Sequence, residues 1–212
     1  MELIIPAKFG LKLNDKDNNK IHAEISLPKD EKNPVNLVIL CPGAGGGPGL
    51  GGMHGPCSIY VRLSEELIKN EIATLKISYR YDADLQHSID DLESAISYMK
   101  EKYKISQVIL VGWSMGAGTV IRTACKYQDE KLVTGVITLA GQIKKILSIK
   151  KLAVPWLMIH GENDKDIPLD SVDKIYKEAI CEKNQIILKS GHNVEGSYDH
   201  IVKYIKSLLL NS

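Results

Sequence analysis

The sequence predicts an α/β fold: a mostly parallel central sheet with an antiparallel N-terminal hairpin, and helices on both faces. Three observations lead there. Strand-like and helix-like segments alternate from residue 35 onward, and alternation of this kind needs crossover connections, hence parallel strands. The strand-like runs, such as Val35–Cys41, are apolar nearly throughout, Asn36 excepted, as expected of strands covered on both faces. The region before residue 35 carries strand-like segments and no helical one.

The elements follow in order. Lys8 to Leu13 and Ile21 to Leu27 flank the polar stretch Asn14 to Lys20 and read as a β-hairpin. Val35–Cys41 is the first buried strand. Ile59 to Asn70 carries Ile59, Leu63 and Leu67 at helical spacing. Ile72 to Ser78 is a strand. Ser88 to Tyr103 is a helix with Ile89, Leu92, Ile96 and Met99 on one face. Gln107 to Val111 is a strand and Ala117 to Tyr127 a helix. Leu132 to Leu139 and Pro155 to His160 are strands, Leu169 to Cys181 a helix, Gln185 to Lys189 a strand, and Val194 to Leu210 a closing helix.

Bulk properties narrow the function. At 212 residues the chain is expected to form one domain, residues 1–212, with a sizeable core. A net charge of +1 gives no electrostatic case for nucleic acid or for an anionic membrane. No apolar run approaches the ~20 residues of a membrane span, and no secretory signal is read at the N-terminus. The four cysteines, Cys41, Cys57, Cys125 and Cys181, show no C-x-x-C spacing. They are expected to be reduced thiols in a cytoplasmic protein.

The chemistry concentrates in Gly112-Trp113-Ser114-Met115-Gly116, which fits the G-x-S-x-G nucleophile elbow. A serine becomes a useful nucleophile when a sharp strand-to-helix turn presents it to a base and to oxyanion donors. The residues two before and two after it must be small. A strand precedes this pentapeptide and a helix follows it, so Ser114 is the candidate nucleophile. Its base is expected at a strand end, where groups gather in an open parallel sheet. His192 lies three residues beyond the last strand. Asp164 follows the penultimate strand, and Ser114, Asp164, His192 is then a Ser, Asp, His order. Asp166 is the rival acid, two residues on. His160 ends a strand and reads as a packed core histidine, His200 sits inside the terminal helix, and His54 reads as a solvent-facing loop histidine.

These residues give the chain its resemblance. It resembles small α/β-hydrolases of the dienelactone hydrolase and carboxylesterase kind, from about Ile21 to the C-terminus. The family pattern H-G-x-x-D-x-x-V/I-P is met by His160, Gly161, Asp164, Ile167 and Pro168. The resemblance implies that Asp164 is the acid of a Ser114–His192–Asp164 triad. It also implies that Pro42-Gly43-Ala44-Gly45-Gly46 is the oxyanion loop, with Pro42 where the family usually has histidine. The oxyanion donors implied by position are the backbone N–H groups of Ala44 and Met115. Dienelactone hydrolase uses a cysteine nucleophile, so Ser114 argues against that specific activity.

The expected activity is serine hydrolysis of a small-molecule carboxylic ester, with no cofactor and no metal. Acyl-thioester or peptide hydrolysis would use the same groups. A non-catalytic binding module is the alternative from another class, because regulatory proteins of this superfamily carry a similar P-G-A-G-G loop. The short connection Ala140 to Val154 leaves no room for a lid domain, which implies an open site. Two further loops fail on inspection. Gly47 to Gly52 fits G-x-G-x-x-G but is interrupted by Pro48 and is separated from the next helix. Asp15 to Asn19 resembles a calcium loop, yet position six is Lys20 and position twelve is Ser26.

Overall fold

The computed structural model describes residues 1–9, 19–29, 34–45, 51–143 and 149–210. Its elements are β1 (Glu2–Pro6), β2 (Lys20–Ser26), β3 (Val35–Cys41), α1 (Ile59–Leu67), β4 (Ile72–Ile77), α2 (Leu85–Lys102), β5 (Ile105–Trp113), α3 (Met115–Tyr127), β6 (Val133–Leu139), β7 (Trp156–Gly161), α4 (Leu169–Glu178), β8 (Lys183–Leu188) and α5 (Tyr198–Leu209). They form one eight-stranded sheet in the order β1-β2-β4-β3-β5-β6-β7-β8. β1 pairs antiparallel with β2, and β2 antiparallel with β4. All other pairings are parallel. The α/β fold with an antiparallel start is therefore present.

Strand alternation divides the core between two faces. In β3, Leu37, Ile39 and Cys41 point to the cluster that holds Leu92, Ile96 and Met99 of α2 and Val120 of α3. Val38 and Leu40 point to the cluster that holds Leu63 and Leu67 of α1 and Ile201 and Ile205 of α5. Helices α1 and α5 thus cover one face, and α2, α3 and α4 the other. Each such leucine or isoleucine, fully removed from water, contributes about 1.5–3 kcal/mol. That explains why the central strands are mostly apolar.

Two polar devices fix the frame. Asp84 caps α2 by accepting the His87 N–H at 3.0 Å, so the helix starts at Leu85, earlier than its apolar stripe suggests. Arg80, just beyond β4, is ion-paired with Asp91 of α2, and both side chains are fully buried. Asp91 also accepts the Arg80 backbone N–H at 2.8 Å, and Arg80 donates to the Phe9 carbonyl at 2.9 Å. Buried charges persist only when paired and hydrogen-bonded in this way.

The first strand differs from expectation. It is Glu2–Pro6, with Ile5 opposite Ile21, and Lys8 and Phe9 lie outside any strand. The buried positions of β2 need an apolar partner in register, and Ile5 supplies it with full burial. Residues 10–13 of the expected strand, and the loop Asp15 to Asn18, lie outside the described residues. The closing helix also starts later, at Tyr198. Val194 and Gly196 have positive φ, 44° and 89°, which ends any helical run through them.

The reversal of strand order sets the location of the site. β3 connects outward to β4, and β4 then crosses back to β5 on the other side of β3. The ends of β3 and β5 are neighbours, with Cys41 opposite Gly112. Ligands bind in the crevice beyond the strand ends at such a switch point.

Candidate active site

Ser114 sits between the end of β5 and the start of α3, with φ of 54°. A left-handed backbone at a non-glycine residue is strained. Here it is held by three backbone hydrogen bonds: Ser114 N–H to the Leu139 carbonyl at 2.9 Å, and the Ala117 and Gln142 N–H groups to the Ser114 carbonyl at 3.1 and 2.8 Å. The flanking glycines make the turn possible by close approach. A Cβ on Gly112 would lie 2.2 Å from the Gly116 oxygen, and one on Gly116 would lie 2.4 Å from the Pro42 oxygen. No side chain fits either place.

The serine opens into a cavity of about 490 Å³ whose described walls include Ala44, Gly55, Pro56, Cys57, Trp113 and Asn193. Ala44 is held by its carbonyl, which accepts the Ala83 N–H at 3.1 Å. Met115 is buried directly behind the serine and opens α3. The first N–H groups of a helix have no partner within the helix, and that helix end favours negative charge. Tyr60 of α1 donates its hydroxyl to the Cys41 carbonyl at 2.8 Å and anchors the end of β3 below the loop. Gly46, and residues 47–50 of the glycine-rich loop that fails as a phosphate site, lie outside the described residues. His54 is exposed.

Asp164 and His192 meet beyond β7 and β8. His192 Nδ1 lies 2.8 Å from Asp164 Oδ2, with the Asp164 side chain fully buried and that of His192 18% exposed. The other carboxylate oxygen accepts the N–H groups of Asp166 and Ile167, both at 2.9 Å. Burial pushes the Asp164 carboxyl up. The Ile167 N–H, the His192 hydrogen bond and charge, and the Asp166 N–H outweigh it, so the group is held below the usual carboxylate range. Asp166 is exposed and supports the Asp164 carboxylate through its backbone N–H. Gly161 allows the two loops to touch: a Cβ there would lie 2.3 Å from the Gly191 oxygen. The Asn163 N–H also donates to the Ser190 carbonyl at 3.0 Å.

Among the described residues, no hydrogen bond joins Ser114 Oγ to His192. The two are linked through Trp113, whose indole N–H donates to the His192 carbonyl at 3.0 Å. Catalytic hydrogen bonds are often long without substrate and tighten in the complex. Asp164, Asp166 and His192 place ligand atoms within 4.8 Å of one another. His192 Nδ1 and Asp164 Oδ2 are already joined to each other.

Sequence reasoning passed over two residues here. Trp113 and Cys57 line the cavity. His160 is a core histidine, as expected, but its position also matters: it is fully buried, its Nε2 is 2.8 Å from the Ile167 carbonyl and 3.5 Å from Asp164 Oδ2. An indole N–H donor one residue before a candidate nucleophile was the only signal available for Trp113. His200, in α5, is exposed. Among the described residues no helix is long and apolar enough to cross a membrane.

The chain is similar in fold to solved hydrolases. Est1E from Butyrivibrio proteoclasticus aligns with a TM-score of 0.74 at 16% identity over 99% of this chain and 98% of that one. Dienelactone hydrolase from Anabaena variabilis aligns with a TM-score of 0.73 at 16% identity, covering 100% and 97%. A serine hydrolase without a lid from Xanthomonas campestris aligns with a TM-score of 0.72 at 14% identity, covering 100% and 94%. No curated protein sequence matches. A family model matches residues 64–211, and the chain belongs to that family, the α/β hydrolases of unknown function designated DUF915.

Proposed function

We propose that this α/β hydrolase is a serine hydrolase that cleaves small carboxylic esters through an acyl-enzyme. The observation that carries the reading is the pairing of a strained Ser114 on a strand-to-helix turn with a histidine whose Nδ1 is held by a buried, low-pKa aspartate. In this reading His192, neutral and with its Nδ1–H on Asp164, removes the Ser114 proton as Oγ attacks the ester carbonyl. The Ala44 and Met115 N–H groups hold the oxyanion. His192 then gives the proton to the leaving alcohol. Water, activated by the same imidazole, releases the acid and restores Ser114. Asp164 fixes the tautomer and stabilises the imidazolium.

The ester preference is supported by the company of the fold. Est1E holds ferulic acid, a carboxylic acid, in one structure, and an esterase from Exiguobacterium antarcticum is also similar in fold. Short acyl groups suit an open cavity better than long chains, which gain most from deep burial at about 0.8 kcal/mol per CH₂. No cofactor or metal takes part in these steps. The test is turnover of short p-nitrophenyl esters against thioester and anilide analogues, with Ser114→Ala as control. Turnover of the ester alone supports the proposal. Faster turnover of the thioester or amide would replace the substrate class and keep the mechanism.

A further inference from the structure

The base of the proposed reaction stands on a loop. His192 lies between β8 and α5, in residues 189–197, with no helix or strand to hold it. Its imidazole is fixed at one end by Asp164. Its backbone is fixed by a residue from elsewhere in the chain. The Trp113 indole N–H donates to the His192 carbonyl at 3.0 Å. The indole ring also packs against the imidazole, with centroids 5.3 Å apart and planes tilted by 45°. That is within the range in which aromatic pairs attract.

Trp113 is bonded to the nucleophile by the chain itself. It is the last residue of β5, and Ser114 follows. The same indole is a wall for the candidate oxyanion loop. A Cβ on Gly43 would lie 3.1 Å from the Trp113 ring and 3.2 Å from Ser114 Cβ, so the loop passes closely over both. One side chain therefore borders the nucleophile, the base and the strand-end loop, and it lines the cavity that Ser114 and the loop share.

We infer that Trp113 is a positioning residue that sets His192 relative to Ser114. This rests on the triad reading given above. Without Trp113, the distance from base to nucleophile is set through the Asp164 loop, β7, β6 and β5. With it, the distance is set by one side chain rooted beside the nucleophile. A misplacement of about 1 Å at such a site can cost on the order of 10²-fold in rate, so a direct tether has a large lever. The two contacts divide the work: the N–H fixes the His192 backbone, and the ring face limits the imidazole's rotation.

The test compares Trp113→Phe, which keeps a ring and removes the donor, with Trp113→Leu, which removes both. Active sites are counted by fluorophosphonate labelling to completion, so that misfolded protein is excluded from the rates. Trp113→Phe is expected to label Ser114 to full stoichiometry about tenfold more slowly, with kcat down by a similar factor and KM little changed. Trp113→Leu is expected to be slower still. The downfield imidazole N–H signal of His192, assigned by its loss in His192→Ala, should broaden in Trp113→Phe while the dispersed methyl signals persist. A loss of fold alone would not give that pattern. Wild-type labelling rate and an unchanged imidazole signal in Trp113→Phe would overturn the inference. A wild-type protein that does not label at all would instead overturn the triad reading. Should both variants fail to fold, hydrogen exchange of the indole N–H in the unmutated protein decides. Protection supports the tether, and exchange as fast as free tryptophan overturns it.

Discussion

His192 Nδ1 is 2.8 Å from Asp164 Oδ2, and it reaches a carboxylate that is fully buried and already accepts two backbone N–H groups on its other oxygen. The acid is thus fixed before the histidine arrives. Its oxygen facing His192 can only accept, so the proton of a neutral imidazole is placed on Nδ1, and Nε2 is left as the basic nitrogen.

Asp164→Asn tests that tautomer. The amide oxygen can still accept the Asp166 and Ile167 N–H groups, so the loop should keep its shape. The amide NH₂ would face His192 Nδ1 and force the proton to Nε2. Ester turnover is expected to fall roughly 10³- to 10⁴-fold, with an unchanged far-UV circular dichroism spectrum. Loss below tenfold would show that Asp164 does not govern the base.

The depressed pKa of Asp164 also has a consequence for stability. A carboxyl whose folded pKa lies below its unfolded value of 3.8 binds fewer protons folded than unfolded around that pH. It therefore contributes stability above the unfolded value, and loses it as pH falls through the folded one. Urea unfolding of wild type and Asp164→Asn should differ most above about pH 5, and the gap should narrow below about pH 4. A gap that widens in acid would contradict the assignment.

The elbow glycines give a purely structural prediction. Gly112→Ala and Gly116→Ala each place a Cβ within 2.4 Å of a backbone oxygen. Each should cost at least about 3 kcal/mol, beyond ordinary overpacking, or prevent folding. Gly45→Ala, with nothing within 4 Å of its Cβ, should change stability by less than about 0.5 kcal/mol. Denaturant midpoints of the three variants check this. Equal midpoints would mean that the turn is not as close as described.

Much of this arrangement was legible because it is local. The apolar runs of β3 to β7 follow from burial on both faces, and the G-x-S-x-G spacing follows from the 2.2 Å and 2.4 Å approaches at Gly112 and Gly116. What stayed hidden depends on contacts between distant residues. β1 is an edge strand with one fully buried side chain, Ile5, so its own pattern is faint and its place is set by pairing with Ile21. The start of α5 was obscured because Val194 carries a buried apolar side chain on a left-handed backbone. Periodicity reads the side chain and not the turn. Trp113 and His192 are 79 positions apart, and no spacing rule relates an indole to a carbonyl at that separation.

The most direct measurement of the central claim is fluorophosphonate labelling of the purified protein, followed by peptide mass spectrometry. It needs no knowledge of the natural substrate, because the reagent reports only whether a serine is activated. The expected result is one adduct per chain, on the peptide that contains Ser114, with labelling abolished in Ser114→Ala and slowed at least ~10³-fold in His192→Ala. An unlabelled wild-type protein, or an adduct that persists in Ser114→Ala, would contradict the account.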